Sequence, residues 1–284
     1  MSLTNYEHHH WEISSKHSAL DLKLKDTWEY RDLLWLMVRR DFVAVYKQTI
    51  LGPLWFIIQP LLTIIIYTVV FGSIAGIPTD GLPRPLFYMA GITMWNYFSD
   101  CFLKTSGIFR DNAAVFGKVY FPRLIVPLSN ILSNIIRFSV QLIVLVCMMI
   151  YYGLKGAPVH PNTYLALFPF LILLTAGLGL GAGMIISSLT TKYRDLTFLV
   201  GFGIQLLMYA TTVIYPLSSA PQKYKWLIMA NPMTAIIEAL RYGFLGTGSF
   251  SWELLGYSVV VSLLLLFIGM IVFTKVERNF IDTV

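Results

Sequence analysis

Long apolar segments alternate with short polar ones from about residue 53 to the C-terminus. Six of these segments have about 20–26 residues, enough for a helix rising 1.5 Å per residue to cross a hydrocarbon core of about 30 Å. The pattern therefore predicts an all-α integral membrane domain over residues 53–284, with six transmembrane helices. Their approximate ranges are 53–75, 86–108, 128–152, 164–189, 196–215 and 252–274.

The composition also indicates a membrane protein. Of the 284 residues, 56% are hydrophobic and 13% are charged, whereas a typical soluble domain carries about 25% charged residues. A soluble enzyme is therefore excluded, and an aromatic content of 15% excludes a disordered chain. Cys101 and Cys147 lie in apolar segments without the spacing of a disulfide or a zinc site, so no bound metal is expected.

The positions of Lys and Arg predict the orientation. Fourteen of the 21 basic residues lie before the first span, in the loops after spans two and four, or in the C-terminal tail, and five lie in the opposite loops. Cytoplasmic loops carry the excess of Lys and Arg. We therefore expect a multi-pass protein of the cytoplasmic (inner) membrane with both termini in the cytoplasm. The net charge of +6 then reflects topology and contact with membrane lipids, and no nucleic-acid partner is expected.

The segment 27–52 is predicted to form an amphipathic helix in the cytoplasmic membrane interface, because Trp and other aromatic residues alternate with basic ones before Gly52-Pro53. The alternative is that it is only the charged start of the first span. Residues 1–26, with the run His8-His9-His10, are predicted to be a flexible cytoplasmic N-terminus. The candidate interface residues are Trp35, Arg39, Arg40, Tyr46 and Lys47.

The cytoplasmic loop 109–127 is unusually apolar. Asp111-Asn112 are expected to cap a short helix that reaches Lys118, and Phe121-Pro122-Arg123 to end it. Exposed apolar side chains such as Val115 and Phe116 would make this loop a docking surface. A plain charged connector is the alternative.

The external segment 217–250 is predicted to form a re-entrant or interfacial hairpin of two helices, each too short to span the membrane. Pro221 opens the first helix, and Asn231-Pro232 supply the N-cap and first-turn proline of the second. Glu238 and Arg241 lie three residues apart and are expected to pair. Such a hairpin is a candidate gate, or more simply a lid.

Polar side chains form stripes along three spans at the spacing of a helix face. Such groups are costly at membrane depth unless they face a partner helix or a wet cavity, and both interpretations remain open. Amides, hydroxyls and aromatic rings with few charges suit a sugar cargo. The stripes comprise Trp55, Gln59, Thr63 and Tyr67 in span one, Asn130, Asn134 and Gln141 in span three, and Gln205, Tyr209 and Thr212 in span five.

Charged residues also lie well inside the second and third predicted spans. Asp100 is expected to pair with Lys104, four residues further on. Arg137 would meet either a carboxylate or an anionic lipid headgroup.

No catalytic constellation is present. The chain has no phosphate-binding loop, and the glycines at 177, 179, 181 and 183 lie inside span four, where they indicate a helix-packing face. Because no Ser/His/Asp or Cys/His set can be assembled, we expect no catalytic residue and no ATP hydrolysis by this chain.

A series of short motifs from about residue 27 to the C-terminus resembles the ABC-2 type polysaccharide-export permeases. Each motif is weak alone, but together and in this order they are fairly specific. They are Arg39-Arg40-Asp41, Tyr46-Lys47-Gln48-Thr49, Leu51-Gly52-Pro53-Leu54-Trp55, Phe121-Pro122-Arg123, Val126-Pro127-Leu128-Ser129, Tyr193-Arg194-Asp195, Tyr215-Pro216, Asn231-Pro232-Met233 with Glu238 and Arg241, and Glu277-Arg278-Asn279-Phe280 with Asp282.

The resemblance implies a homodimer around a central channel, exporting polysaccharide linked to a polyprenyl lipid. A separate ATPase subunit would bind ATP and Mg²⁺, so this chain would hold no cofactor. The stripes of spans one and five would line the channel, the segment before Gly52 would lie where the lipid-linked end enters, and the hairpin 217–250 would be the external gate. The ATPase would contact Arg110, Asp111, Phe116, Lys118 and Tyr120 in loop 109–127, and Lys192 and Arg194 before span five.

Other classes remain open at this point. An ABC-2 permease for teichoic acid, a drug or a lipid is the first alternative, although the short external loop 76–85 favours polysaccharide. A membrane-embedded enzyme acting on lipid-linked sugars is less favoured, because the outer loops offer few acidic or histidine side chains. An ion channel is less favoured still, because the sequence shows neither a ring of charged residues nor a carbonyl filter motif.

Overall fold

The computed structural model describes residues 28–47, 49–117, 121–193 and 195–281, and within these ranges every regular element is helical. The predicted N-terminal stretch with His8-His9-His10 lies outside the described residues, as do Lys118, Tyr120 and Arg194. The α-helices are α1 Arg31–Tyr46, α2 Trp55–Tyr67, α3 Arg84–Ser106, α4 Ile108–Asp111, α5 Ala113–Phe116, α6 Ile125–Leu154, α7 Phe168–Lys192, α8 Leu196–Tyr209, α9 Gln222–Met229, α10 Pro232–Leu245 and α11 Trp252–Ile281.

Helix α1 forms inside the segment predicted to be an interface helix, and it packs across α6. Met37 and Val38 are buried, whereas Trp35 and the adjacent Leu36 are more than 60% exposed. Arg39, Arg40 and Lys47 are also exposed, and Arg40 pairs with Asp41 at 2.8 Å. The helix thus has one face on the protein and one face available to a membrane surface.

Four helical stretches are long and apolar enough to cross a membrane: Gly52–Ile74, Ile125–Leu154, Thr163–Lys192 and Trp252–Glu277. They coincide with predicted spans one, three, four and six. The first is composite, because a 3₁₀ turn precedes α2 and a π-helical segment, Thr68–Ile74, follows it.

Helix α3 occupies the centre of the fold and corresponds to the predicted second span. Its 23 residues would reach about 35 Å, but it is less apolar than the four stretches above. Fifteen of its residues are buried, since it packs against α2, α6, α7, α8 and α10. Polar residues such as Thr93 and Thr105 are tolerated there because the helix contacts protein on most sides.

The predicted fifth span is too long. Helix α8 ends at Tyr209, and its 14 residues rise only about 21 Å. Beyond it, Thr211, Thr212, Val213 and Ile214 are buried but not helical. The carbonyl oxygens of Thr212 and Val213 turn towards the Arg241 guanidinium instead of continuing the helix.

The glycine stripe of α7 is a packing face, as predicted. A Cβ atom at Gly181 would lie 2.6 Å from the Leu265 carbonyl carbon of α11, and one at Gly179 would lie 2.8 Å from Cys101 Cβ of α3. Alternate glycines therefore bring α7 close to α11 on one side and to α3 on the other.

Both helices predicted within 217–250 are present, but they differ in burial. Helix α9 is largely exposed, with only Ile228 buried. Helix α10 is part of the core, with 12 of its 14 residues buried against α3, α7 and α11. The structure thus places the second helix inside the helical bundle.

Candidate functional site

The loop after α3, which was predicted to be cytoplasmic, contains two four-residue helices, α4 and α5, rather than the single capped helix predicted to reach Lys118. Asn112 lies between them. Its side-chain amide donates to the Ile108 carbonyl at 3.1 Å and closes α4, so it does not cap α5. Helix α5 ends at Phe116.

Phe116 is not the exposed docking residue that the sequence suggested. Its side chain is 7% exposed and belongs to an apolar cluster under the loop. Its ring centroid lies 6.0 Å from that of Phe109, which stacks on Phe273 of α11 at 4.8 Å. Met37 of α1 belongs to the same cluster. Phe116 therefore anchors the loop to its own subunit.

Two charged side chains of this loop are exposed. Arg110 and Asp111 are 41% and 53% exposed, and Arg110 Nε donates to Asp111 Oδ1 at 2.8 Å. That hydrogen bond raises the pKa of Arg110. The loop thus presents an exposed ion pair.

Arg110 also connects the two segments that were predicted to contact an ATPase. Its Nη1 donates to Thr197 Oγ1 at 2.8 Å, in the first turn of α8. Lys192 lies just before this turn, with its ammonium group 5.2 Å from the Tyr193 ring centroid, and Asp195 accepts from the Leu196 amide as N-cap. The two residues of the link are 87 positions apart, so no local sequence pattern reveals it.

The stripe predicted on span one lies on α2. Trp55 and Gln59 are exposed, and Thr63 and Tyr67 are half-buried. The Thr63 hydroxyl donates to the Gln59 carbonyl, and the Tyr67 hydroxyl lies 3.6 Å from Met208 Sδ of α8. This contact brings α2 and α8 together within one subunit.

On α8, Gln205 and Tyr209 are exposed and share a face, as predicted. Thr212 does not belong with them, because it lies beyond the end of the helix and is fully buried. The face therefore consists of Gln205 and Tyr209, together with Phe198 and Phe202 one or two turns earlier, both more than half exposed.

The stripe on span three makes interhelical hydrogen bonds. Asn134 of α6 accepts from Lys104 Nζ of α3 at 2.7 Å, and Gln141 accepts from Asn96 at 3.3 Å. Asn130, Asn134 and Gln141 are all buried. Since the amides of Asn134 and Gln141 bond to side chains of α3, this stripe ties two helices together.

The charged residues within the bundle are paired differently from the prediction. Asp100 accepts from Arg137 Nη1 at 3.1 Å rather than pairing with Lys104. Arg137 Nη2 donates to Gln59 Oε1 at 3.0 Å. Of the two partners considered for Arg137, the structure thus supplies the carboxylate. The expected pair failed because Asp100 and Lys104 point to different residues of α6.

The predicted pair of Glu238 and Arg241 is present, at 3.3 Å, with each side chain 1% exposed. The Arg241 guanidinium also donates to the carbonyls of Thr212 and Val213 and lies 3.6 Å from the Phe87 ring centroid. This one side chain therefore joins α10, α3 and the segment after α8.

The ends of the hairpin helices follow the predicted local chemistry. Asn231 Oδ1 accepts from the Met233 amide at 3.1 Å, and Pro232 occupies the first position of α10. Asn231 Nδ2 donates to Thr211 Oγ1 at 2.8 Å, which adds a contact to the segment after α8. Pro221 directly precedes α9.

Comparison of the sequence with known protein families identifies the family of this chain. The pattern of the ABC-2 type transporter family matches residues 32–245. The chain belongs to the ABC-2 type transporter family. The membrane helices and the resemblance noted from the sequence agree with this membership.

Named members of the ABC-2 family are similar along almost their whole length. The chain is 27% identical over 264 residues to the O-antigen export system permease protein RfbA of Klebsiella pneumoniae, covering 93% of this chain and 99% of that protein. It is 26% identical to the protein of the same name from Myxococcus xanthus, covering 92% and 98%. It is 22% identical to the polysialic acid transport protein KpsM of Escherichia coli, covering 84% and 91%.

Proposed function

We propose that this chain is the transmembrane subunit of an ATP-driven ABC exporter that moves lipid-linked polysaccharide, of the O-antigen type, across the cytoplasmic membrane. The observation that carries the proposal is its similarity to permeases named for O-antigen export over 98–99% of their length. Similarity to a polysialic acid transport protein points to the same kind of cargo, a long glycan.

In this proposal the chain has six membrane helices and both termini in the cytoplasm. The four long apolar stretches supply four helices. Helix α3 and the shorter α8 supply the other two, α8 being extended by the buried segment that leads to Arg241. The basic residues of α1, of the loop after α3 and of the α7–α8 turn then lie on the cytoplasmic side.

The ATPase subunit would bind where Arg110 joins the loop after α3 to the start of α8. The exposed ion pair and Lys192 offer charged contacts, and the buried Phe116 cluster holds the loop in position beneath them. A displacement of this loop would be transmitted directly to α1, because Met37 of α1 belongs to that cluster.

The channel would form between two copies of the chain, along the exposed faces of α2 and α8. These faces carry Trp55, Gln59, Gln205 and Tyr209, whose rings and amides suit the C–H faces and hydroxyls of sugars. The α9–α10 hairpin would close the outer end, with α10 as its fixed base and α9 as its exposed part. ATP and Mg²⁺ would be bound by the ATPase alone.

A different cargo is the second candidate. The chain is also 23% identical over 227 residues to the inner membrane transport permease YadH of Escherichia coli, whose name specifies no polysaccharide. Teichoic acid, a drug or a lipid therefore stays as the alternative cargo.

The test is purification of the full-length chain from its native membrane in mild detergent, together with deletion of its gene. We expect an ATPase with a phosphate-binding loop in roughly one-to-one ratio, and loss of surface polysaccharide that the intact chain restores. Recovery of the chain alone after gentle crosslinking would overturn the exporter assignment. Recovery of an ATPase with unchanged surface polysaccharide would favour another cargo.

A further inference from the structure

A groove of about 240 Å³ lies between α1, α2, α3 and α6, on the side of the bundle that carries the basic loops. Two cations, Lys104 and Arg137, line it together with the amides of Gln59 and Asn134. Phe56 and the half-exposed indole of Trp55 form its apolar wall. The groove is smaller than the roughly 300–1,000 Å³ typical of pockets for drug-sized ligands, so it suits a compact group.

The charges around this groove leave one cation without a counter-charge. Arg137 is neutralised by Asp100 at 3.0 Å, and Asp41 at the α1 side is neutralised by Arg40 at 2.8 Å. Lys104 donates only to the neutral amide of Asn134. Among the residues that the structure describes, Lys104 makes no ion pair. It is exposed and lies in the last turn of α3, so its ammonium group is available to an anionic group in the groove.

Arg137 has a further donor available. Two of its nitrogen atoms are used, by Asp100 and by Gln59, but its buried Nε has no acceptor within the described part of the chain. A buried guanidinium N–H without an acceptor is costly, and phosphate oxygens match the fork of an arginine well.

We infer that this groove binds the phosphate group of a membrane lipid with net negative charge, in preference to a zwitterionic phospholipid, with Lys104 and Arg137 as its positive ligands. A phosphate oxygen would accept from the Lys104 ammonium and supply the missing counter-charge. The hydrocarbon chain would leave along the exposed apolar side chains on another face of α2 and of the π-helical segment after it, among them Ile65 and Val69, which are 59% and 49% exposed. The inference rests on the proposed function in one respect, since it makes the groove the place where the lipid-linked end of the cargo is held.

The test measures binding of two lipid phosphates to the purified full-length chain in nanodiscs of phosphatidylcholine. The probes are phosphatidylglycerol and a long-chain polyprenyl diphosphate, and native mass spectrometry gives their apparent affinities. Equal affinities would indicate a general site for lipid phosphate, and tighter binding of the diphosphate would indicate a site for the carrier lipid. Either result supports the inference, whereas no binding of either probe above phosphatidylcholine would overturn it.

Three variants make the test specific. Lys104→Gln should weaken binding roughly tenfold, as expected for the loss of a charge-assisted hydrogen bond. The control Lys155→Gln removes an exposed cation beyond the other end of α6 and should change nothing. Asp100→Asn should retain or strengthen binding, because Arg137 then faces the phosphate without a competing carboxylate.

Two outcomes would contradict the inference while the melting temperatures of the variants stay normal. Unchanged affinity in Lys104→Gln is one, and loss of binding in Asp100→Asn is the other, since that loss would assign Arg137 to a purely structural ion pair. Failure of this site is also distinct from failure of the proposed function. A chain that exports polysaccharide but binds no lipid phosphate refutes only the site, and a chain that binds lipid phosphate but exports no polysaccharide refutes only the function.

Discussion

Arg241 of α10 donates from Nη2 to the carbonyl oxygen of Val213 at 2.9 Å, so a buried guanidinium satisfies the backbone where α8 has ended. The same group pairs with Glu238, whose other carboxylate oxygen accepts from the Ser249 amide at 2.9 Å. A helix end inside a bilayer needs such partners, because no water reaches its free carbonyls. The pair therefore permits the break after α8 and fixes α10 against it.

Arg241→Met should destabilise the protein strongly, by about 3–5 kcal/mol, because it leaves the buried Glu238 carboxylate unpaired. Thermal unfolding of the purified chain in detergent measures the effect. Arg241→Lys should be less destabilising than Arg241→Met, since lysine keeps the positive charge but lacks the planar set of N–H donors of the guanidinium. The double variant Arg241→Met with Glu238→Gln should be more stable than Arg241→Met alone, and a double variant that is no better would mean that the charge of Glu238 is not the cause.

Gly181→Ala should destabilise the bundle by about 1–3 kcal/mol, as overpacking does in other cores. The new methyl group would lie 2.6 Å from the backbone of Leu265, which cannot rotate away, so α7 and α11 must separate. The matched control is Gly256→Ala on α11, where no atom lies within 4 Å of the added carbon. Equal melting temperatures for the two variants would show that the close approach of α7 and α11 is not required.

Hydrophobic periodicity and local turn chemistry account for the parts of the fold that the sequence predicted well. Span three was expected at 128–152 and the helix is Ile125–Leu154, because a long apolar run is sufficient to specify such a helix. The Asn231 cap was also predictable, since donor and acceptor are two residues apart. These features depend on neighbours along the chain.

The site was less predictable because its contacts join distant residues. Arg110 and Thr197, or Arg137 and Asp100, meet only after the helices have packed. In a membrane protein the lipid-facing and buried sides of a helix are both apolar, so composition alone does not tell which side is which. Phe116 was expected on the surface because it lies in a connecting loop. It is buried because residues distant in the sequence, among them Met37 and Phe273, belong to the same apolar cluster.

Phe116→Ala should lower stability by about 3–5 kcal/mol, the usual cost of removing a buried phenylalanine ring. The loss of contact with the rings of Phe109 and Phe121 is the cause. Phe116→Leu keeps most of the apolar volume and should cost much less. Thermal unfolding of the chain without the ATPase measures the loss of stability separately from ATPase binding. An unchanged melting temperature for Phe116→Ala would instead support a role of Phe116 in binding the ATPase.

Thr197→Val should weaken binding of the ATPase subunit by about 2–10-fold while lowering the melting temperature of the chain only slightly. The change removes the acceptor of Arg110, so the two segments proposed to contact the ATPase lose a hydrogen bond of about 0.5–1.5 kcal/mol that sets their spacing. Thr191→Val is the control, because its hydroxyl donates only within α7, to the Ser187 carbonyl. Titration of the ATPase against the chain in nanodiscs measures the affinities. If both variants bind the ATPase as the unaltered chain does, the link between the segments is not part of the docking site.

Tyr209→Ala tests the channel face of α8. The ring is half exposed and shares this face with Gln205, and we propose that it contacts sugar rings as the polymer passes. Loss of one aromatic contact of about 0.5–1.5 kcal/mol should slow export by roughly 2–10-fold, while the ATPase remains bound. Leu207→Ala is the control, since that residue is 38% exposed on the opposite side of the same helix. The rate at which labelled polysaccharide appears at the cell surface gives the comparison. Equal rates for the two variants would remove Tyr209 from the channel, and a slower rate in Leu207→Ala alone would place the polymer on the other face of α8.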